Sequence, residues 1–420
     1  MTKFLTLYLY VFVFLLSAKE LTLDECIDKT LKNHPDIKNL TLNVEQSGHL
    51  VDIAKADYLP QINIGAQYNP INTFVMPQNG QFKTIEDDNW QFDAKINQKI
   101  YDFSRTTSNI KASKKNENIA NISLDDAKAL LIYNVKNLYN LALFQTNALK
   151  ARQKDLQTKN ELYKQAQALV KEGLKTEADA TSILSAMYIA EDTLAITKAD
   201  LNKALSTLSL YMGEKVDFET KLVDNTALQN NQALQNEDLL FQDILEKNFT
   251  LKSSKEEIER NDLIYSATKA QNYGSIDAVA SYTHQDSINE YDTSLVGISI
   301  NIPIYSGGRI SAQTQEALIS KKQAKESYNS KKLLIQEELE NLIIDFDRYK
   351  HTIKAKKALI ESSMLTKEIV QARYKEGLST YIEILDATST NLYAELGLLE
   401  AKFAVIKIIN RLDYLQGQTK

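Results

Sequence analysis

Apolar and polar residues alternate in four short stretches of the chain, over residues 62–68, 90–96, 276–282 and 296–304. A period of two places apolar side chains on one face of a strand and polar side chains on the other. Each stretch approaches the roughly ten residues that a tilted strand needs to cross a membrane. A single stretch would fit a soluble sandwich equally well, but two hairpins are too few strands for a core of their own.

The stretches between the strands have helical composition and heptad spacing. Residues 104–172 contain neither proline nor glycine, and as one helix they would measure roughly 100 Å. The heptad positions are Val135, Ala142, Leu149, Leu156, Tyr163 and Val170 in the first half, and Leu339, Phe346, Ile353, Ile360, Tyr374, Leu385, Leu392, Leu399 and Ile406 in the second. Sustained heptads predict left-handed coiled-coil packing, whereas an ordinary buried helix does not explain such length without a partner.

The chain carries this plan twice. The sequence Lys171-Glu172-Gly173-Leu174 recurs 204 residues later as Lys375-Glu376-Gly377-Leu378, and Tyr101 recurs at the same offset as Tyr305. The two glycines are predicted to end the outgoing helices, where the chain turns back. We therefore predict one duplicated architecture with two helical hairpins and two β-hairpins. The predicted boundaries are 1–18 for a signal peptide, 19–213 for the first repeat (hairpin strands about 60–100), 214–236 for a linker and 237–417 for the second repeat (hairpin strands about 275–304).

The N-terminus has the features of a secretory signal. Lys3 supplies a positive charge, residues 4–16 are apolar, and Ser17-Ala18 offers small residues for cleavage. A retained membrane anchor is the alternative. No later stretch has the roughly 20 apolar residues that a membrane helix requires. We therefore expect an exported protein that is either soluble outside the cytoplasm or inserted through its strands.

Composition and residue chemistry exclude several classes of function. The 55 acidic and 49 basic residues give a net charge of −6, which argues against nucleic acid as a partner. Cys26 is the single cysteine, so no internal disulfide forms, and we expect it to pack in a helix. The four histidines lack the spacing of metal ligands. Without a nucleophile–base pair or a phosphate-binding loop, the sequence predicts no enzyme, no cofactor and no metal.

Three segments resemble a known family. They are Pro303-Ile304-Tyr305-Ser306-Gly307-Gly308-Arg309, the weaker Ile100-Tyr101-Asp102-Phe103-Ser104, and the hairpin tip from Tyr374 to Ala387. With them, the chain resembles the TolC-type outer-membrane efflux proteins over essentially its whole mature length. The resemblance implies a mainly α fold with a membrane β-barrel contribution. Long coiled-coil hairpins would form a trimeric α-barrel, and each protomer would give four strands to one shared twelve-stranded β-barrel.

The resemblance also implies a function and its partners. The chain would be the passive exit duct of a tripartite efflux or secretion system, in the cell outer membrane and extending into the periplasm. It would act as a homotrimer, in contact with outer-membrane lipid. A periplasmic adaptor protein and an inner-membrane transporter, of the resistance-nodulation-division or ABC type, would feed it. A soluble periplasmic coiled-coil scaffold or chaperone is the alternative, although it gives the two-faced strands no purpose.

The resemblance further implies a pore constriction at Glu383 and Asp386. Their i, i+3 spacing places both on one helix face, and threefold symmetry would gather six carboxylates around one axis. Such a ring attracts cations, and it favours closure by binding a cation or by sharing protons. The alternative is an ordinary solvated helical face.

A latch near the tips is implied at Tyr374 and Asp179, although Ser379 stands where some relatives carry an arginine. Simple core packing of Tyr374 is the alternative. The turn residues are expected to meet the adaptor, or otherwise only to reverse the chain. These turn residues are Gly173, Leu174, Gly377 and Leu378.

Overall fold

The structure is a computed structural model that describes residues 20–224 and 237–419. The predicted signal peptide and residues 225–236 of the predicted linker lie outside the described residues. The elements are β1 (Glu20–Leu21), α1 (Leu23–Asn33), α2 (Pro35–Ala56), β2 (Gln61–Gln78), β3 (Gln81–Tyr101), α3 (Arg105–Lys171), α4 (Glu177–Met212), β4 (Lys221–Leu222), α5 (Glu237–Lys247), α6 (Phe249–Ala270), β5 (Ser275–Asp286), β6 (Tyr291–Asn301), α7 (Arg309–Lys375) and α8 (Tyr381–Leu415).

The described residues form two compact units, and each unit draws on both halves of the chain. One unit holds most of the long helices, including both helical tips. Its residues are 20–37, 127–224, 237–244 and 336–419. The other unit holds the four-stranded sheet with α6, most of α2 and the first turns of α3 and α7. Its residues are 38–126 and 245–335.

The four long strands form one antiparallel sheet in the order β2-β3-β5-β6. One row across this sheet is apolar on every strand: Ile62 pairs with Ile96, Ile96 with Ala280, and Ala280 with Val296. The period-two alternation therefore aligns from strand to strand, as predicted. Within the described residues β2 and β6 each have a single neighbour in this sheet, so they form its two edges.

The first β-hairpin is longer than its alternation predicts. Residues 69–89, which lie between the two alternating stretches, are strand except for the two-residue turn Asn79-Gly80. Both turn residues have positive φ (52° and 74°), the conformation of a type I′ hairpin turn. The pairing shifts register between Asn69 and Asn72, next to Pro70, which has no amide hydrogen to donate. The extension was missed because this irregularity interrupts the alternation.

The long helices follow their predicted extents. Both α3 and α7 span 67 residues, and the returning helices α4 and α8 span 36 and 35. Helix α1 lies at the end of α4, where the Asn33 side-chain amide donates to the carbonyl oxygen of Met212 at 2.9 Å. None of the helices in the two described ranges is both long and apolar enough to cross a membrane.

The heptad seam of α3 moves along the helix. Val135, Ala142 and Leu149 are buried as predicted, but nearer the tip the buried residues are Leu162 and Leu169 instead of Tyr163 and Val170. The shift is a single step: the buried position after Leu149 is Asp155, six residues on, and the seven-residue spacing then resumes through Leu162 and Leu169. The predicted seam is therefore correct at its start and one residue late near its end.

A short parallel pair of strands, β1 and β4, packs on the middle of α3. The hydroxyl of buried Tyr139 lies 2.8 Å from the carbonyl oxygens of both Leu21 and Val223. Burial raises the pKa of Tyr139 to about 12 and that of the Cys26 thiol, in the same core, to about 12. Cys26 thus packs in α1, as expected, and the described part of the linker is held against the helices.

Candidate functional site at the helical tips

Both outgoing helices end in the same motif. Gly173 and Gly377 have φ values of 68° and 72°, which glycine adopts without the strain that a Cβ would bring. In each turn the glycine amide and the following amide donate to carbonyls of the last helical turn, which is a Schellman motif. The pairs are Gly173–Val170 (3.0 Å), Leu174–Leu169 (2.9 Å), Gly377–Tyr374 (3.1 Å) and Leu378–Arg373 (2.8 Å).

Both returning helices begin with a capping box. The Asp179 carboxylate accepts the Thr176 amide at 3.0 Å, and the Glu383 carboxylate accepts the Thr380 amide, also at 3.0 Å. In each box the threonine hydroxyl accepts an amide in return, which satisfies donors at the helix start. The resemblance implies a latch for Asp179 and a pore ring for Glu383. The structure places the two residues at equivalent positions of the repeats.

Tyr374 is fully buried where four helices meet. Its hydroxyl has no hydrogen-bond partner among the described residues. Burial raises the pKa of Tyr374, and the nearby Asp179 charge raises it further. No hydrogen bond joins the two residues within the described chain, although they lie close enough to interact electrostatically. The cluster around Tyr374 contains Leu162, Ala166, Leu169, Ala180, Ile183 and Ile384.

A lysine that sequence reasoning missed joins the two tips. The Lys175 ammonium donates to the carbonyl oxygen of Ser379 at 2.9 Å and lies 5.6 Å from the centre of the Tyr374 ring. A cation over an aromatic face is an attractive arrangement. Lys175 precedes Ser379 by 204 residues, the repeat offset. The signal was therefore present: where the second tip has serine, the first tip carries the cation.

The two carboxylates proposed for the pore lie on one exposed face. Glu383 and Asp386 line a shallow groove between α7 and α8. The backbone amide of Thr380 and the side chain of Ser379 hydrogen-bond to the Glu383 carboxylate and lower its pKa. Glu383 is therefore ionised at neutral pH. Nowhere in the described ranges do three or more histidine, cysteine, aspartate or glutamate side chains gather as metal ligands would.

The turns present apolar side chains to solvent. Leu174 is 62% exposed and Leu378 is 69% exposed, and Ile382, in the first turn of α8, is 62% exposed. Burying a leucine side chain is worth about 2 kcal/mol. These residues therefore form a small apolar tip surface that the described residues leave exposed.

Comparison with known proteins identifies the family. The chain matches the family model described as outer membrane efflux protein over residues 26–214 and again over residues 240–418. It is 23% identical over 391 residues to the outer membrane efflux protein BepC of Brucella suis biovar 1 (strain 1330), covering 92% of this chain and 83% of BepC. It is also 23% identical over 390 residues to the probable outer membrane lipoprotein SilC of Salmonella typhimurium, covering 86% and 78% of the two chains.

Solved structures share the fold. The outer-membrane channel OprN superposes with a TM-score of 0.83 at 16% identity, covering 94% of this chain and 90% of OprN. The outer membrane protein VceC of Vibrio cholerae gives 0.83 at 15% identity, covering 94% and 96%. The predicted mainly α fold with a β-barrel contribution is confirmed.

The family is one of outer-membrane efflux channels and not of enzymes. The prediction of an exit duct in the outer membrane is thereby confirmed over the soluble scaffold. With two matched segments that together span most of its length, the chain belongs to the outer membrane efflux protein family.

Proposed function

We propose that this exit duct is a homotrimer gated at its helical tips, and that a periplasmic adaptor protein opens the gate. Cargo would then pass from an inner-membrane transporter, of the resistance-nodulation-division or ABC type, to the exterior. The observation that carries the proposal is the Lys175 contact, which joins one helical hairpin to the other at the point where each turns. A contact of this kind must break if the hairpins are to separate.

The open sheet supports the trimer. Strands β2 and β6 form its edges, and an unpaired edge is not tolerated in hydrocarbon, where no water satisfies the backbone groups. Further copies of the same chain supply both missing neighbours, since β6 of one copy pairs with β2 of the next. Three copies give twelve strands in one closed sheet, with outer-membrane lipid against its apolar face.

The ring of carboxylates forms the constriction in this proposal. Glu383 and Asp386 from three copies contribute six charges that repel anions and bind cations. The lowered pKa of Glu383 favours its ionised form. Cation binding is therefore better supported as the means of closure than proton sharing, which requires a raised pKa.

The latch in this proposal consists of Tyr374, Asp179 and Lys175. Lys175 supplies the cation that the second tip lacks at Ser379, and its contact with the Tyr374 ring fixes the two turns together. Asp179 contributes charge close to both. The exposed Leu174 and Leu378, held by Gly173 and Gly377, are the surface that an adaptor would cover.

Single-channel conductance of the detergent-purified protein in a planar bilayer tests the proposal. Wild type should show small discrete openings that divalent cations block, and the Glu383→Gln/Asp386→Asn variant should escape the block. Glutamine retains the capping box, so the variant removes charge without removing the cap. Glu177→Gln, a neutralised carboxylate in the first turn of α4, is the matched control and should behave as wild type.

Two results would count against the proposal in different ways. Openings that cations block equally in the Glu383→Gln/Asp386→Asn variant would keep the duct and move the constriction elsewhere. Protein that stays soluble without detergent and forms no channels would contradict the trimeric duct.

A further inference from the structure

A polar layer interrupts the apolar packing of the helices above the tips. In α3 the two buried residues between Leu149 and Leu162 are Asp155 and Lys159. In α7 the one buried residue between Leu339 and Tyr374 is Ser363. Asn391 of α8 is also buried. In the first helical hairpin the cores on either side of the layer are aliphatic, and in α8 the buried residues on either side of Asn391 include Ile384 and Ala401.

Three of these four polar residues share one distance from the turns. Lys159 lies 14 residues before Gly173, and Ser363 and Asn391 lie 14 residues before and after Gly377. At about 1.5 Å per residue, the layer is roughly 20 Å from each turn along its helix. Both helical hairpins therefore carry a buried polar position at the same height.

The buried polar groups of the layer have only some of the hydrogen-bond partners they could take. The Lys159 ammonium lies 2.9 Å from one Asp155 oxygen, while the other Asp155 oxygen is buried without a partner among the described residues. The Ser363 hydroxyl lies 3.2 Å from both the Asn391 side-chain oxygen and the Ile360 carbonyl oxygen, so these two acceptors share one hydrogen, and the Asn391 amide donates to Glu395 at 2.7 Å. The Ser363–Asn391 contact is a direct polar link between α7 and α8.

Such a layer is weaker than the apolar packing it replaces. A buried ion pair loses hydration that its attraction often fails to recover, and well-packed apolar residues in its place are frequently more stable. A buried asparagine in a coiled coil likewise lowers stability while fixing register. A weak layer between two strong ones is where paired helices separate first, because opening there breaks the least favourable contacts.

We propose that Asp155, Lys159, Ser363 and Asn391 form a hinge layer, at which the tips move away from the rest of the coil when the duct opens. The layer sets the length of the moving segment. The helices between the layer and the turns move, and the helix packing on the far side of the layer from the turns is kept. The inference rests on the proposed function of the tips as a gate. It goes further by naming where the moving segment ends.

Two double variants each replace polar residues of the layer with apolar ones. Asp155→Leu/Lys159→Met acts on the first helical hairpin, and Ser363→Ala/Asn391→Leu acts on the second. Thr388→Val is the matched control, because the Thr388 hydroxyl is buried nearby but donates to Ile384 of its own helix at 2.8 Å and so joins no two helices. Opening frequency is measured in planar bilayers, both alone and with Lys175→Met, which releases the tip contact. The trimer and its melting temperature are checked in detergent.

If the layer is a hinge, each of the two double variants should stay trimeric, melt no lower than wild type and open about tenfold less often. The Thr388→Val control should open as often as wild type. Unchanged opening in intact trimers would overturn the hinge and leave the gate in place. Loss of the trimer in both double variants would assign the layer a register role and also overturn the hinge. If neither wild type nor Lys175→Met shows any channel openings, the gated duct itself would be contradicted.

Discussion

At the scale of single residues, the two strand-to-helix junctions share the same positive-φ backbone but have different residues there. Gly307 and Gly308 precede α7 with φ values of 62° and 81°, and the equivalent Phe103 and Ser104 precede α3 with 55° and 70°. Positive φ is unfavourable for residues with a Cβ and costs about 1 kcal/mol or more. The first junction is therefore strained where the second is relaxed.

A buried cap holds the strained junction. The Asp102 carboxylate accepts both the amide and the hydroxyl of Thr106, at 2.8 Å and 2.5 Å. We predict that Ser104→Gly raises the melting temperature and that the reciprocal Gly308→Ser lowers it, each by an amount equivalent to about 1 kcal/mol. Thermal unfolding in detergent, followed by circular dichroism, measures both. Equal effects of the same sign would show that the strain is not intrinsic to these positions.

The tip lysine gives a second prediction at this scale. Lys175→Met removes the ammonium that binds the Ser379 carbonyl and faces the Tyr374 ring, so the channel should open more often. Lys171→Met, at an exposed position of the same turn, is the control and should leave the openings unchanged. Single-channel recording reports both variants. A Lys175→Met channel that opens no more often than wild type would show that the contact does not restrain the gate.

The tip residues show which features of the site can be predicted from the sequence and which cannot. The glycines at 173 and 377 were predicted as turns because only their φ preference is needed to recognise them. Lys175 was missed because its role depends on which carbonyl lies within reach, which is set by packing between the two helical hairpins. Glu383 and Asp179 were assigned different roles, while their shared capping chemistry is local and was readable from Thr176 and Thr380.

At the scale of elements, extents were predicted well wherever the pattern was unbroken. Helix α3 matches its predicted length because no proline or glycine interrupts residues 104–172, and α7 is equally uninterrupted over its 67 residues. The first β-hairpin was underestimated because a register shift at Asn69 breaks the alternation that identifies a strand. The heptad in α3 was correct near Val135 and one residue off near Leu169, since the seven-residue spacing is interrupted between Leu149 and Asp155.

The β1–β4 pair gives a prediction about an element with few contacts of its own. Two short parallel strands are not stable alone, and the Tyr139 hydroxyl lies within hydrogen-bonding distance of the backbone next to both. We expect Tyr139→Phe to keep the packing but remove the hydroxyl that hydrogen-bonds to the Leu21 and Val223 carbonyls, at a cost of about 1 kcal/mol. Hydrogen exchange should show faster exchange of the Val223 amide, which donates to the Leu21 carbonyl at 3.1 Å. Unchanged exchange would indicate that apolar packing alone holds the pair.

At the scale of the whole molecule, the sheet of one chain is incomplete. Its four strands have exposed apolar side chains and, in the described residues, two open edges, and the alternation in the sequence alone predicts that other subunits must complete it. The proposed carboxylate ring would likewise be a property of three copies, and its behaviour with pH tests the proposed assembly as a unit.

The pH dependence of cation block follows from the lowered pKa of Glu383. Its carboxylate is stabilised in the folded chain relative to the usual pKa of 4.5, so it contributes stability above that value and loses the contribution as pH falls through the lowered one. Cation block should therefore keep its strength between about pH 7.5 and pH 5.5 and weaken only in stronger acid. Block constants for a divalent cation, recorded across this range with Glu383→Gln/Asp386→Asn as reference, measure it. Strong weakening already by about pH 5.5 would mean that repulsion among the gathered carboxylates outweighs the Thr380 hydrogen bond, and that the ring closes by sharing protons.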